Sequence, residues 1–308
     1  MIEQWIKDAK NLPGDFAENV PLSKFTSWRV GGIGEYVYRP QSVTDLQQIL
    51  PLVPAETPIT WLGLGSNTLI RDGGLSGLVI VTQSRLNTIQ LIDDCTVYAE
   101  AGSSCAQVAR FSARHHLTGA EFLAGVPGTM GGALAMNAGC FGAETWQQVS
   151  HVTLINRQGQ LIKKMSSDFK VGYRTVLLPN DHWFVATSMQ LQQGHKEHSL
   201  AKIRELLDQR SNTQPTGEHS CGSVFRNPSG DYAGRLIETS GLKGYQVGGA
   251  SVSNKHANFI INKGQATAKD IEQLVMYVQQ QVLNNHGVLL QPEVKIIGYQ
   301  NHEQTCES

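Results

Sequence analysis

One stretch limits the fold more than any other: residues 125–142 read GVPGTMGGALAMNAGCFG, with six glycines and no charged residue. Glycine has no Cβ, so its backbone can approach a flat or anionic ligand closely and can adopt positive φ. Pro127 fixes one φ angle and stiffens the turn. Thr129 can cap a short helix over residues 133–136, and helix N-termini attract anions. The stretch predicts either a backbone-lined ligand site or a tightly packed turn.

A second glycine-rich loop lies upstream, where residues 61–74 read WLGLGSNTLIRDGG. An apolar run leads into Gly63 and Gly65, so a predicted strand ends in small residues whose N–H groups can surround phosphate oxygens. The spacing is not the dinucleotide fingerprint, because Thr68 replaces the third glycine, and no Lys-Ser/Thr pair follows to make a Walker loop. A simple hairpin turn is the alternative interpretation.

Length and charge restrict the class of protein. The chain has 308 residues, more than one typical domain, which favours two or three subdomains. Hydrophobic residues make up 40% and charged residues 17%, as is typical of folded globular proteins. The 25 basic and 26 acidic residues leave a net charge of −1, so no basic field favours nucleic-acid binding.

Cysteine usage indicates a reducing compartment. The cysteines are odd in number and form no Cys-x-x-Cys pair, which argues against a disulfide scaffold or a zinc knuckle. The histidines show no metal-binding spacing with carboxylates, so we expect no metal. The first residues, MIEQWIKDAK, lack the apolar core of a signal peptide, and no apolar run reaches the ~20 residues that span a bilayer. We therefore expect a cytoplasmic protein without membrane insertion.

Hydrophobic periodicity predicts a mixture of helices and strands. Ser42 is placed to cap one helix, and Gly287 to end the last one. The predicted helices cover residues 2–10, 43–50, 104–116, 200–210, 232–239 and 269–286. The predicted strands cover residues 30–39, 59–64, 78–82, 89–100, 149–156, 160–164, 183–191, 259–262 and 291–297. Gln214-Pro215 ends one helix and predicts the clearest domain boundary.

The two glycine-rich loops, together with residues 26–35 (TSWRVGGIGE), resemble the flavin-binding half of the UDP-N-acetylenolpyruvoylglucosamine reductases, also called UDP-N-acetylmuramate dehydrogenases. The resemblance runs from about Leu22 to Ile297. It implies an α+β fold, in which a two-part FAD-binding region of the vanillyl-alcohol-oxidase (PCMH) type, and not a Rossmann fold, is joined to a third α+β substrate-binding domain. The expected divisions are FAD-binding subdomains at 1–82 and 83–198, a substrate domain at 199–288, and a strand at 289–308 that returns to the FAD-binding region, with the tail.

The resemblance also implies FAD as cofactor. We expect FAD to be non-covalent, because no cysteine or histidine lies within residues 63–68 or 125–129. The residues implied to bind it are Gly63, Leu64, Gly65, Ser66, Asn67, Thr68, Gly125, Val126, Pro127, Gly128, Thr129, Gly131, Gly132 and Asn137.

Two segments in the C-terminal half of the chain match catalytic motifs of this family. Ser223 lies in the sequence GSVFRNP, where the family carries its proton donor; no Gly-x-Ser-x-Gly elbow surrounds it, so a nucleophilic serine is not indicated. Glu293 lies in QPEV, where the family carries a catalytic glutamate, and it is expected to lie beside Ser223. The simpler alternatives are a serine that caps local backbone and a solvated acid at a strand edge.

The family's Tyr-Arg pair corresponds to Tyr173 and Arg174, and Arg174 is implied to hold the substrate carboxylate with its planar fork. The following Thr175-Val176-Leu177 departs from the usual serine-containing continuation, and the short run to Trp183 resembles the compact type of the enzyme. Residues 253–259 (SNKHANF) match a segment that lines the nucleotide-sugar site. The implied substrate-binding residues are Tyr173, Arg210, Gln214, Arg226, Asn227, Lys255 and Asn258.

The reaction implied by the resemblance has two halves. NADPH reduces FAD, and a hydride then passes from flavin N5 to C3 of UDP-N-acetylglucosamine enolpyruvate. Arg174 and Glu293 stabilise the enolate, and Ser223 protonates C2 to complete UDP-N-acetylmuramate for peptidoglycan. Two other classes are left open. An FAD-dependent sugar or alcohol oxidase of the same fold would not need Ser223 and Glu293 together, and a non-catalytic nucleotide-sugar binding protein would be colourless.

Overall fold

The computed structural model describes residues 2–301, with side chains from Gln4 onward. Residues 302–308, which include Cys306 and the end of the predicted C-terminal region, lie outside that range. The chain divides into two compact units. Unit 1 comprises Met1–Ala17, Tyr36–Leu64 and Gly77–Arg210, and unit 2 comprises Glu18–Glu35, Gly65–Ser76 and Ser211–Ser308. The finer division into 1–82, 83–198, 199–288 and 289–308 stays a prediction.

Helices and short strands alternate along the described residues. The α-helices are α1 (Ile2–Lys10), α2 (Val43–Ile49), α3 (Cys105–Arg114), α4 (Met130–Met136), α5 (Lys196–Thr213), α6 (Ala233–Thr239) and α7 (Ala268–His286). The strands are β1 (Asp15–Pro21), β2 (Ile33–Arg39), β3 (Ile59–Leu62), β4 (Thr68–Ile70), β5 (Leu75–Val81), β6 (Ile89–Leu91), β7 (Thr96–Glu100), β8 (Leu117–Thr118), β9 (Gly139–Cys140), β10 (Ala143–Glu144), β11 (Val149–Asn156), β12 (Leu161–Met165), β13 (Val171–Gly172), β14 (Thr175–Val176), β15 (His182–Gln190), β16 (Gln192–Gln193), β17 (Gln246–Val247), β18 (Ala250–Val252), β19 (Ile260–Asn262) and β20 (Lys295–Ile297).

Unit 1 is built on sheet pairings that bury apolar side chains. Strand β3 pairs in parallel with β5, in a sheet of order β1-β2-β5-β3. A second sheet, of order β12-β11-β15-β7-β6, is antiparallel throughout. Helix α3 buries the predicted face, which consists of Cys105, Val108, Ala109 and Ser112. These pairings form the frame on which the glycine-rich loops of unit 1 are mounted.

Unit 2 packs α6 and α7 on a small antiparallel sheet of order β17-β18-β19, and β20 pairs in parallel with β4. Thr267 caps α7 by accepting a hydrogen bond from Asp270 N at 3.1 Å, and Gly287 ends the helix with a φ of 68°. The predicted apolar stripe of α7 is buried, and consists of Ile271, Leu274, Val275, Val278 and Val282. The long helix therefore supplies much of the core of unit 2.

The α+β class is confirmed, and most predicted elements form, with shifted ends. Ser42 caps α2 as expected, by accepting a hydrogen bond from Asp45 N at 3.1 Å. The strand predicted over 291–297 is wrong in its first half, because only Lys295–Ile297 pairs with β4 as a strand. Helix α5 extends beyond the predicted 200–210 at both ends. Across residues 2–301, each helix is too short or too polar to cross a membrane.

Replacing Leu274 by alanine tests the core of unit 2. Leu274 is fully buried on α7, so Leu274→Ala removes apolar contacts and leaves a cavity that costs about 2–5 kcal/mol in the free energy of unfolding. Met276 lies on the same helix and is 54% exposed, so Met276→Ala should cost about 0.5 kcal/mol or less. Urea unfolding followed by tryptophan fluorescence measures both. Equal losses for the two variants would contradict the assignment of the buried face.

Candidate active site

The two glycine-rich loops meet in unit 1. A Cβ atom added to Gly63 would overlap Thr129 Oγ1, so the loops approach each other at a distance that only glycine allows at position 63. Thr129 caps α4 as predicted and accepts a hydrogen bond from Gly132 N at 3.5 Å, although the helix begins at Met130 and not at Ala133. The structure therefore brings Gly63 and Thr129, one residue from each predicted cofactor-binding stretch, into contact within unit 1.

Backbone hydrogen bonds hold the loop at 125–132 rigid. Gly128 O accepts from Cys105 N at 3.0 Å, Met130 N donates to Ser103 O at 2.8 Å, and Gly131 N donates to Ala101 O at 2.8 Å. Pro127 and Gly132 are exposed, and no residue of the loop is charged. The loop thus offers solvent a fixed surface of backbone and small side chains. This surface, with Gly63 against it, fits a flat cofactor such as a flavin.

Gly65 opens the part of the upstream loop that belongs to unit 2. Its φ is +64° and a Cβ there would overlap Phe25 O, so glycine is required. Gly65 O accepts hydrogen bonds from Ser27 N at 3.1 Å and from Cys221 Sγ at 3.4 Å. Burial raises the pKa of the Cys221 thiol to about 12, so this thiol is a neutral donor at neutral pH.

Ser223 and Glu293 lie on two segments that pair within unit 2. Glu293 N donates to Val224 O at 2.7 Å, and Arg226 N donates to Gln291 O at 2.9 Å. These two bonds flank an antiparallel bridge between Phe225 and Pro292. The segment that follows Ser223 is therefore fixed against the segment that contains Glu293. Both Ser223 and Glu293 are half-buried.

Asn67 connects the upstream loop to the same segment of unit 2. Its Nδ2 donates to Glu293 O at 3.1 Å, and its carbonyl oxygen accepts from Lys295 N at 3.0 Å. The predicted cofactor loop and the segment of the predicted catalytic glutamate are thus linked by two hydrogen bonds at the end where β4 and β20 begin. Leu64, Ser66 and Thr68 are half-buried in the same loop.

Two predicted substrate residues have side chains that bind the backbone. Asn258 is 3% exposed and exchanges two hydrogen bonds with Phe225: its Nδ2 donates to Phe225 O at 2.8 Å, and its Oδ1 accepts from Phe225 N at 2.9 Å. Asn227 Oδ1 accepts from Ala233 N, the first residue of α6, at 3.1 Å. A direct contact of either residue with substrate stays a prediction.

Arg174 is held at the tip of the β13–β14 hairpin in unit 1, with a φ of +54°. Its Nη2 donates to Gly139 O at 3.1 Å and its Nη1 to Asn137 O at 3.4 Å. Asn137, predicted to bind the cofactor, is buried, and its Nδ2 donates to Glu144 Oε2 at 2.8 Å and to Gly172 O at 3.2 Å. The guanidinium is therefore positioned by a network that begins at the end of α4.

Arg210 joins Arg174 near Cys140, also within unit 1. Burial raises the pKa of the Cys140 thiol to about 11, while the charges of Arg210 and Arg174 oppose that rise. Burial also lowers the pKa of the Arg210 guanidinium, and the interaction with Cys140 counteracts this effect. Arg174 lies 5.4 Å from the centre of the exposed Tyr173 ring. Tyr173 and Arg174 are thus in contact, and Arg174 and Arg210 both act electrostatically on Cys140.

The remaining predicted substrate residues belong to unit 2. Lys255 is exposed, and its Nζ donates to Ser211 O; Gln214 is half-buried. Arg226 has a buried Nε for which the described residues offer no hydrogen-bond partner. A buried guanidinium nitrogen without a partner is costly, so an anionic or carbonyl ligand would stabilise it.

Sequence reasoning missed Glu144, which binds Asn137 and so supports Arg174. The sequence signal was Gly142, which favours a turn, and Phe141 and Gly142 both have positive φ in the structure. That turn pairs β9 with β10 and places Glu144 opposite Gly139, the residue whose carbonyl binds Arg174. Within residues 2–301, no three metal-binding side chains cluster.

Residues 34–164 match a family model described as an FAD binding domain, so fold and site define a flavin-dependent oxidoreductase with FAD as cofactor. Residues 214–297 match the model of the UDP-N-acetylenolpyruvoylglucosamine reductase C-terminal domain.

Similar proteins agree with these matches along nearly the whole chain. The chain is 53% identical to the UDP-N-acetylenolpyruvoylglucosamine reductase of Legionella pneumophila (strain Lens) over 94% of each chain. It is also 53% identical to the protein of that description from Methylococcus capsulatus over 92% of this chain and 94% of the relative. The crystal structure of the Thermus caldophilus reductase matches with a TM-score of 0.79 and 31% identity, over 92% of this chain and 99% of the other. The chain therefore belongs to the UDP-N-acetylenolpyruvoylglucosamine reductase family.

Replacing Gly63 by alanine tests the contact between the two loops. Gly63→Ala places a methyl group against Thr129 Oγ1, so the loops must separate and FAD content should fall strongly. Adding Thr129→Ala removes the overlapping oxygen and leaves Cβ at 3.5 Å, so the double variant should regain flavin, whereas Thr129→Ser should not restore it. The ratio of visible flavin absorbance to protein absorbance measures the effect. A Gly63→Ala variant with the same flavin content as the parent protein would contradict the proposed role of this loop contact in FAD binding.

Proposed function

We propose that this chain catalyses the NADPH-dependent, FAD-mediated reduction of UDP-N-acetylglucosamine enolpyruvate to UDP-N-acetylmuramate, a step of peptidoglycan synthesis, in the cytoplasm. Family membership supports the reaction. The observation that most supports the residue roles is the backbone pairing that fixes the segment of Ser223 against that of Glu293. A proton donor and a carboxyl group that act on one carbon need such a fixed separation.

FAD would be held in unit 1 by the backbone at Gly63 and residues 125–132, and residues 65–68 of unit 2 are proposed to bind it as well. When bound, FAD takes two electrons from NADPH and supplies them as a hydride to C3 of the substrate. The protein residues of this surface are uncharged, and Thr129 fixes the start of α4 behind it. Their role is to hold the cofactor rigidly and to leave the polar chemistry to other segments.

Arg174 is proposed to bind the substrate carboxylate and to stabilise the negative charge that develops when C3 gains hydride. Its guanidinium is already fixed by Gly139 O and Asn137 O, so little reorganisation is needed as the charge forms. Arg210 places a second cation nearby. Arg226, with its unpartnered Nε, and Lys255 are proposed to contact the diphosphate or sugar together with Gln214.

Ser223 is proposed to donate the proton that completes the reaction. The C2–C3 double bond becomes a single bond: C3 gains a hydride, C2 gains a proton from the Ser223 hydroxyl, and solvent restores that hydroxyl. Glu293, on the paired segment, assists the protonation. A hydroxyl is a suitable acid here because the enolate carbon is strongly basic and would take a proton from a hydroxyl held within about 3 Å of it.

Ser223→Ala separates hydride transfer from protonation. The substitution removes only the hydroxyl, so FAD content and flavin reduction by NADPH should match the parent protein. Reoxidation of the reduced flavin by the enolpyruvyl substrate should slow by about 10²–10⁴, the worth of one positioned acid. Rapid mixing of reduced protein with substrate measures this rate. Ser223→Cys should retain more activity than alanine, and Ser229→Ala, in an exposed part of the same loop, serves as control. Parental reoxidation in Ser223→Ala would overturn the acid assignment.

Glu293→Gln tests the carboxyl group on the paired segment. The substitution keeps the size of the side chain and the backbone bond from Glu293 N to Val224 O. The amide, however, cannot gain or lose a proton as a carboxyl group does. We expect the second half-reaction to slow by a factor of about 10²–10³, which is the usual effect of losing one charge-stabilising group. Stopped-flow measurement of both half-reactions is the test. A variant that lost flavin reduction by NADPH equally would instead indicate damage to cofactor binding.

A further inference from the structure

The backbone of Phe225 needs hydrogen-bond partners that the paired segment does not supply. Phe225 and Pro292 form a bridge that is flanked by the bonds from Arg226 N to Gln291 O and from Glu293 N to Val224 O. In an antiparallel pair of this kind, the N–H and C=O of the central residue point away from the partner strand. Phe225 is 2% exposed, so water does not satisfy these groups.

The side-chain amide of Asn258 satisfies both groups. Nδ2 donates to Phe225 O at 2.8 Å and Oδ1 accepts from Phe225 N at 2.9 Å, the two bonds that a neighbouring strand would make. The main chain of Asn258 adds a third bond, because its carbonyl oxygen accepts from Val224 N at 2.9 Å. The segment that carries Ser223 is thus held on one side by residues 291–293 and on the other by Asn258.

Asn258 is itself fixed by its neighbours. Its N–H donates to His256 Nδ1 at 3.2 Å, which makes Nδ1 of that ring an acceptor. The His256 ring packs against Phe259 with 4.8 Å between ring centres. The Asn258 side chain is 3% exposed, and its amide group is occupied by Phe225. The Asn258 side chain therefore binds the backbone of the segment that carries Ser223, which we call the acid segment.

We propose that Asn258 is a positioning residue, which acts through the backbone of Phe225 to fix the Ser223 hydroxyl for protonation of the substrate. The inference rests on the proposed role of Ser223 as the acid. It assigns Asn258 a different task from the contact with substrate that the resemblance implied, and it connects the SNKHANF segment to the proton transfer.

The two hydrogen bonds between the Asn258 side chain and the Phe225 backbone form a clamp, and two substitutions weaken this clamp by different amounts. Asn258→Asp keeps the size of the side chain and the Oδ1 acceptor for Phe225 N, but it loses the donor to Phe225 O. Asn258→Leu removes both bonds. The matched control is Asn262→Asp: Asn262 is 7% exposed, lies on β19 and also binds backbone, through Nδ2 to Trp28 O at 2.8 Å and Oδ1 to Gly264 N at 2.7 Å. The control reports the effect of destabilising unit 2 alone.

Hydrogen exchange tests the clamp without any flavin chemistry. In Asn258→Leu, a peptide that covers residues 224–226 should exchange faster, by up to about tenfold, because Phe225 N loses its acceptor. In Asn258→Asp the same amide should stay protected. In Asn262→Asp this peptide should match the parent protein, since the bonds of Asn262 lie elsewhere. Unchanged exchange in Asn258→Leu would overturn the clamp itself.

Half-reactions test the consequence for Ser223. In Asn258→Asp, flavin reduction by NADPH should equal the parent rate, while reoxidation by the enolpyruvyl substrate should slow by about 10- to 100-fold, the cost of a displacement near 1 Å. On a Ser223→Ala background, Asn258→Asp should cause no further slowing, because it acts through the missing hydroxyl. Additive losses would overturn the positioning role.

Isotope content of unconsumed substrate provides a readout that stability does not affect. In D₂O the hydrogen on the reduced flavin would exchange with solvent, so the hydride delivered to C3 would carry deuterium. When protonation at C2 is slow, a hydride would return from C3 to the oxidised flavin, and the recovered substrate would contain vinyl deuterium. Asn258→Asp and Ser223→Ala should both raise this deuterium per product formed, and Asn262→Asp should not. If Ser223→Ala behaves as the parent, the acid assignment fails; if only Asn258→Asp does, the present inference fails alone.

Discussion

The irregular segments of this protein depend on asparagine amides that take the place of missing backbone partners. A buried peptide group without a partner costs about 1–3 kcal/mol, so each segment outside a helix or sheet must find one. A side-chain amide carries the same donor and acceptor as a peptide bond and suits this task. The asparagines that do so are Asn258 on Phe225, Asn262 on Trp28, Asn67 on Glu293, Asn227 on Ala233 and Asn137 on Gly172.

This use of asparagine explains what the sequence could and could not predict about the site. The motifs around Ser223, Glu293 and Arg174 were recognisable because residue types and local spacing carry them. The partner of a polar side chain is not local: Asn258 contacts a residue that lies 33 positions away, and Asn67 one that lies 226 positions away. Sequence reasoning therefore assigned these polar residues to ligands, and it could not predict that their side chains also bind distant backbone groups.

The same distinction between local and distant partners holds for the fold. Ser42 and Gly287 act within one turn of their own helices, and both were predicted in their observed roles. The pairing of β20 with β4 joins residues more than two hundred positions apart, and no periodicity in either segment indicates it. Strands such as β17 and β18 are only two or three residues long, which is too short for an alternation of polar and apolar residues to be visible.

Proline at position 292 helps to keep the segments of Ser223 and Glu293 in register. Pro292 has no N–H, and it stands opposite Phe225 where the antiparallel geometry requires none from it. A slip by one residue would move Pro292 to the place of Glu293, where an N–H must reach Val224 O, and would also turn each side chain to the opposite face. The missing donor of Pro292 therefore favours the alignment in which the segment of Ser223 and the segment of Glu293 pair as observed, while Asn258 binds the other edge of the Ser223 segment.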